Sequence, residues 1–157
     1  MVDETVRRQV ESLHTRYVRA IDDDRLEDWP ALFTEQCVYK IVTRENYDQG
    51  LPLAVMDCRS RGMLQDRVTG LRKINVFEPQ RYRHQVSGLF IKPASGRLVE
   101  CWSNYLVVRT MGEGAMTIFS AGIYLDKIVL EPGGAKFEER IVVADSRQIE
   151  TLLVIPL

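Results

Sequence analysis

Histidine and cysteine are scarce in this chain of 157 residues, which has two histidines, His14 and His84, and three cysteines, Cys37, Cys58 and Cys101. A zinc or non-haem iron site built from several imidazoles is excluded by so few and such distant histidines. Three scattered cysteines supply neither a CxxC pair nor a disulfide framework, and they read as free, buried thiols. A basic excess is also missing: 21 Lys and Arg stand against 22 Asp and Glu, for a net charge of -1. The positive field that phosphate backbones require is therefore absent, and nucleic acid is not an expected partner. No apolar run approaches the ~20 residues of a membrane helix. The charged opening from Met1 to Glu11 lacks the apolar region of a signal peptide, so a cytoplasmic location without membrane contact is expected.

What is present is a 45% hydrophobic chain, long enough to bury roughly 70% of its unfolded surface as a single domain, 1–157. Val6, Val10, Leu13, Tyr17 and Ile21 form one apolar helix face between residues 5 and 21. The run Asp22, Asp23, Asp24 should end that helix, and Asp28 can cap a short second one carrying Trp29, Leu32 and Phe33, with Pro30 in its first turn. Cys37 to Arg44 reads as a strand, Glu45 to Pro52 as a loop and Arg59 to Lys73 as a third helix, with Leu64, Val68 and Leu71 on its buried side. Beyond Pro79 the pattern is β: Tyr82 to Lys92, Arg97 to Thr110, Ala115 to Glu131, Lys136 to Asp145, and Glu150 to Ile155. Glycine-bearing turns make sequential antiparallel hairpins the economical topology. Strands this long imply strong curvature, with bulges expected at Gly88 and Gly122. The class is α+β: N-terminal helices packed on a strongly curved, mainly antiparallel sheet.

With Tyr17 and Trp29 in its opening helices, this order resembles the cone-shaped fold of the nuclear transport factor two-like superfamily. The stretch Met56-Asp57-Cys58-Arg59-Ser60-Arg61-Gly62-Met63-Leu64-Gln65-Asp66-Arg67-Val68 resembles a signature of the small, or beta, subunits of bacterial aromatic-ring-hydroxylating dioxygenases. Arg83 to Ser87, Ser103 to Arg109 and the tail from Arg140 agree with it. The resemblance implies a structural, non-catalytic subunit supporting a large, or alpha, subunit that holds a Rieske iron-sulfur cluster and a mononuclear iron. It further implies a trimer within an assembly of three large and three small chains. A Rieske centre needs two Cys and two His, and this chain has no C-x-H or C-x-x-H, so no cofactor is expected here. Thr43 to Pro52 with Ser60 to Met63 resembles relatives acting on benzoate-like acids such as salicylate, anthranilate or terephthalate.

Of the individual residues, His84 is the sharpest candidate for a base. No aspartate pairs with it by spacing, so it reads as a packing or interface histidine. An alternative is a cofactor-free isomerase, dehydratase or cyclase of the same cone fold, using Tyr17, Asp24 and His84. Tyr17, Trp29, Tyr39 and Tyr105 could line a ligand pocket, but aromatics at this spacing read first as core. Asp22, Asp23 and Asp24 read as a solvated helix end, because adjacent carboxylates prefer water. Arg59, Arg61, Asp66, Arg67, Arg72 and Lys73 read as interface or internal anchors, and His84, Asn104 and Arg109 join that set. The tail Thr151 to Leu157 is too apolar to hang in water, since each exposed Leu, Val or Ile forgoes roughly 1.5 to 3 kcal/mol. Burial within its own sheet or against a second copy is expected.

Overall fold

In the computed structural model, which describes residues 1–73, 79–148 and 155–157, the chain opens with helix α1, Glu4–Asp22. Asp3 caps it by accepting a hydrogen bond from Val6 N–H at 2.9 Å. Val10, Leu13, Tyr17 and Ile21 are buried as the periodicity requires. Two single 3-10 turns follow, Leu26–Asp28 and Pro30–Leu32, in place of the expected second helix. Pro30 cannot donate the backbone bond that would join the two turns into one helix, and Phe33 already begins a strand.

Strand β1 spans Phe33–Thr43, and the expected loop after it holds a five-residue helix, α2, Arg44–Asp48, capped by Thr43. A short strand, β2, Met56–Cys58, precedes helix α3, Arg61–Lys73. Ser60 accepts from Met63 N–H at 3.2 Å, which fixes the start of α3. The long strands are β3, Gln80–Ser95, β4, Leu98–Met111, β5, Met116–Glu131, and β6, Gly134–Ala144. The expected strand from Glu150 to Ile155 falls almost wholly on residues outside those described.

The six strands form one sheet in the order β2-β1-β6-β5-β4-β3. The run from β3 to β6 is an antiparallel meander, whereas β1 pairs parallel to β6 and antiparallel to β2. Helix α1 touches β3, β5 and β6, so the sheet curls around it. Helix α3 closes over β1 and the 3-10 turns.

Gly88 sits at the expected bulge: the β3–β4 register shifts between Ser87 and Phe90, and its φ of +64° is one that L side chains rarely adopt. Gly122 departs from expectation. It pairs regularly with Tyr105 and Ala144, and the β4–β5 shift lies at Val107/Val108 instead. Its requirement is close approach, since a Cβ there would stand 1.9 Å from the Val143 carbonyl oxygen.

The concave side is filled by aromatic rings. Trp29, Phe33, Tyr17, Tyr39, Tyr124 and Phe137 are fully buried and meet mostly edge to face, with centroids 5.2 to 6.0 Å apart in the Trp29–Tyr39, Tyr17–Phe137 and Tyr17–Tyr124 pairs. Leu157 closes this core. The hydroxyls of Tyr17 and Tyr39 both donate to its carbonyl oxygen, Tyr39 at 2.9 Å, and its own N–H donates to the Tyr39 oxygen at 3.2 Å. The expected burial of the tail thus holds at its last residue, although the contact is with side chains rather than in a strand.

Candidate functional site

Two histidine-centred clusters arise from α1, and they are built differently. In the first, Asp126 on β5 and Arg140 on β6 are wholly buried opposite partners in the strand register. Arg140 donates to both carboxylate oxygens, at 2.8 and 2.7 Å. Its guanidinium also lies 3.9 to 4.2 Å from the ring centres of Tyr17, Tyr124 and Phe137. Burial opposes the Arg140 charge, but Asp126 outweighs it and holds the guanidinium above its ordinary pKa. Arg140 Nη2 donates to His14 Nδ1 at 3.2 Å, so the His14 proton sits on Nε2, 3.4 Å from Asp126. Burial, helped by Arg140, lowers the His14 pKa well below 6.5. A neutral ring locked between a cation and an anion works as a strut rather than a proton carrier.

In the second cluster, Asp22, the last residue of α1, reaches His84 on β3. Its two oxygens accept from His84 Nδ1 at 2.6 Å and from the His84 backbone N–H at 2.8 Å. The side chains are 0% and 4% exposed, respectively for His84 and Asp22. Asp22 is therefore not part of a solvated helix end: three adjacent carboxylates need not share one environment when the helix turns only one of them inward. Its signal in the sequence is the i, i+4 row His14, Val18, Asp22, which shares one side of α1. His84 Nε2 is buried without a hydrogen-bond partner among the described residues.

The other expected residues disperse. Tyr17 belongs to the first cluster and the Leu157 contact, where burial raises its pKa. Asp24 is an exposed left-handed residue held by Arg72, which bonds the Asp24 carboxylate at 2.8 Å and Glu27 at 2.7 Å. This clamp ties α3 to the end of α1, and no hydrogen bond among the described residues joins Tyr17, Asp24 and His84 into one site. Arg61 is an internal anchor, donating to the Phe33 carbonyl at 2.6 Å. Arg59 is exposed and pairs with Asp57, and Asp66 and Arg67 lie exposed on α3, so these three do not anchor the interior. The interior of α3 is already supplied by Leu64, Val68 and Leu71. Arg109 stacks 4.4 Å from the Phe119 ring, and Asn104 sits exposed beside Gly88. Trp29, Tyr39 and Tyr105 are core residues.

Cys37, Cys58 and Cys101 are free and buried, and burial pushes all three thiols up, Cys101 to about 12. Among the described residues no three His, Cys, Asp or Glu side chains are grouped to hold a metal. Without such a grouping the described residues do not fit a Rieske cluster, which needs two Cys and two His together.

A curled sheet around one helix, with an interior occupied by its own side chains, defines a scaffold of the cone-shaped α+β class. Residues 16–151 match the family model described as the ring hydroxylating beta subunit, and the chain belongs to that family. It is 40% identical over 149 residues to the anthranilate 1,2-dioxygenase small subunit of Burkholderia cepacia, covering 95% of this chain and 92% of the relative. It is 34% identical to the beta 2 subunit of the terminal oxygenase component of terephthalate 1,2-dioxygenase from Comamonas sp., covering 95% and 97%. A crystal structure from Novosphingobium aromaticivorans, assigned as the beta subunit of an aromatic-ring-hydroxylating dioxygenase, superposes with a TM-score of 0.90. That chain is 38% identical, and the match covers 98% of both. The chain is a small subunit of the aromatic-ring-hydroxylating dioxygenase type.

Proposed function

We propose that this chain is the structural, non-catalytic partner of a large subunit that carries a Rieske cluster and a mononuclear iron, and that ring hydroxylation takes place on that subunit. The observation that carries the reading is the 40% identity to a dioxygenase small subunit over 95% of the chain. The interior supports it, because Arg140, Asp126 and six aromatic side chains fill the concave side of the sheet. Its location is cytoplasmic. The substrate class is a benzoate-like acid, as in the anthranilate and terephthalate relatives.

The small subunits self-associate as a trimer, within three large and three small chains. The outer sheet face is the surface for that contact. Phe90, Trp102, Leu125 and Ile141 stand side by side across β3, β4, β5 and β6, with Phe90 60% and Trp102 37% exposed. Aromatic residues flanked by the Lys127–Glu139 pair have the composition of an interface centre with a polar rim.

Co-expression with a large subunit from the same source tests this reading. The small chain purified alone is expected to be colourless, and the co-expressed pair a brown hetero-oligomer with hydroxylase activity. A large subunit that folds, binds iron and turns over at full rate without this chain would overturn it.

A further inference from the structure

The outer face of the sheet continues past Trp102 toward the far end of β4, and its chemistry changes on the way. Residues opposite one another in the ladders share a face, so Arg81, Thr110 and Met116 form one row there and Arg83, Val108 and Ile118 the next. Ile118 is 72% and Met116 68% exposed, more than any other large apolar side chain in the described strands. Arg81 and Arg83 are exposed and make no ion pair among the described residues. Residues 80–85, 106–111 and 116–121, the stretches that meet here, contain no Asp or Glu. Exposed Met and Ile beside unneutralised arginine have the composition of a protein-binding surface. A second copy brought up face to face would set arginine against arginine. The densest acidic run it could offer, Asp22 to Asp24, is already committed to His84, Arg19 and Arg72. The end around Phe90 and Trp102 has no such conflict, since its flanking Lys127 and Glu139 neutralise each other. From Trp102 to Val108 is six residues of strand, about 20 Å, far enough for each end to meet a different chain.

We propose that the end of the outer face bearing Met116 and Ile118 is where the large subunit docks, through an apolar segment that sets Asp or Glu against Arg81 and Arg83. The identity of the partner rests on the small-subunit reading, whereas the chemistry it must present follows from the patch. Arginine meets a carboxylate with two parallel hydrogen bonds. The acidic side chains therefore fix the register of the contact, while Met116 and Ile118 are taken out of water.

The test compares the full chain alone with its co-expressed complex with the large subunit. Cys37, Cys58 and Cys101 are buried, so Ile118→Cys places one accessible thiol in the patch. Iodoacetamide is expected to label it in the small chain alone and to leave it unmodified in the complex. Arg81→Glu/Arg83→Glu reverses charge at two exposed positions and should weaken capture of the large subunit by about a hundredfold, leaving self-association of the small chain unchanged. Met116→Ser/Ile118→Ser should also weaken capture, through the apolar contact. Protection of the thiol in the small chain alone would assign the patch to a second copy and overturn the proposal. So would equal labelling with and without the large subunit, or undiminished capture by the folded double variants. Binding of the small chain to phosphatidylglycerol vesicles through the same arginines would make the patch a membrane contact and overturn it too. If the unaltered chains do not co-purify, the small-subunit reading falls and the docking site with it, whereas co-purification with an unprotected thiol overturns the site alone.

Discussion

Asp126 and Arg140 face each other across neighbouring antiparallel strands and close a two-pronged ion pair with no exposure to water. Such a pair is not a large net source of stability, but breaking it strands a charge. Arg140→Met is therefore expected to destabilise the fold by about 3 to 5 kcal/mol, and the double variant Arg140→Met/Asp126→Leu to recover much of that loss. Urea denaturation of the three proteins checks this. A double variant no better than the single one would contradict it.

His14 gives the fold an acid-sensitive element. Burial and Arg140 hold its folded pKa well below 6.5, so the folded state keeps the ring neutral while the unfolded chain takes up a proton. The contribution is complete above the unfolded value and is lost as pH falls through it, at up to about 1.4 kcal/mol per pH unit. Between pH 6.5 and about 5, above the main carboxylate range, His14→Gln should show a flatter dependence of stability on pH. Equal slopes in the two proteins would refute the assignment.

Much of this architecture is legible in the sequence. The α1 face, the α3 face and four long strands follow from periodicity, and the Gly88 bulge from a glycine in a long strand. Strand β2 was not legible, because three residues carry no period and pair only after β1 exists. The Asp22–His84 contact was hidden for a related reason: it joins residues far apart in the chain, and only the curl of the sheet around α1 brings them together. The Asp126–Arg140 pair left no local pattern either, since a charged residue inside a strand reads as an outward-facing one.

Glycine substitutions separate steric need from mere occupancy. Gly122→Ala forces a Cβ onto the Val143 carbonyl and should prevent normal folding or lower stability severely. Gly70, inside α3, has only open space where a Cβ would stand. Gly70→Ala should raise stability by roughly 0.5 to 1 kcal/mol. Thermal melts of both variants decide the matter.

At the tail, removal of Ile155 to Leu157 takes away the oxygen to which the Tyr17 and Tyr39 hydroxyls donate and leaves the two buried hydroxyls only their bond to each other. A loss of stability is expected, and with it loss of the oligomer. Tyr39→Phe, which strands the buried Leu157 N–H, should cost about 1 to 3 kcal/mol. Light scattering with denaturation reads both effects, and an unchanged oligomer in the truncated chain would count against the tail's role.

On the outer face, Trp102→Glu loses the ring contact with Phe90 and should cost the monomer about 1 kcal/mol, yet disrupt self-association. Sedimentation at micromolar concentration distinguishes the cases. A trimer that persists in Trp102→Glu would move the contact to another surface.

The parallel pairing of β1 with β6, which sets Phe33 beside Phe137, also governs the order in which the chain can fold. Contacts so remote in sequence close slowly. During synthesis α1, β1 and α3 leave the ribosome before the strand that completes their half of the sheet has been made. The β3–β6 meander, built from hairpins, can zip as it emerges, whereas the N-terminal elements must wait for its last strand. The nascent chain is thus without its finished core until β6 has been made, and any assembly that needs that core must wait for it.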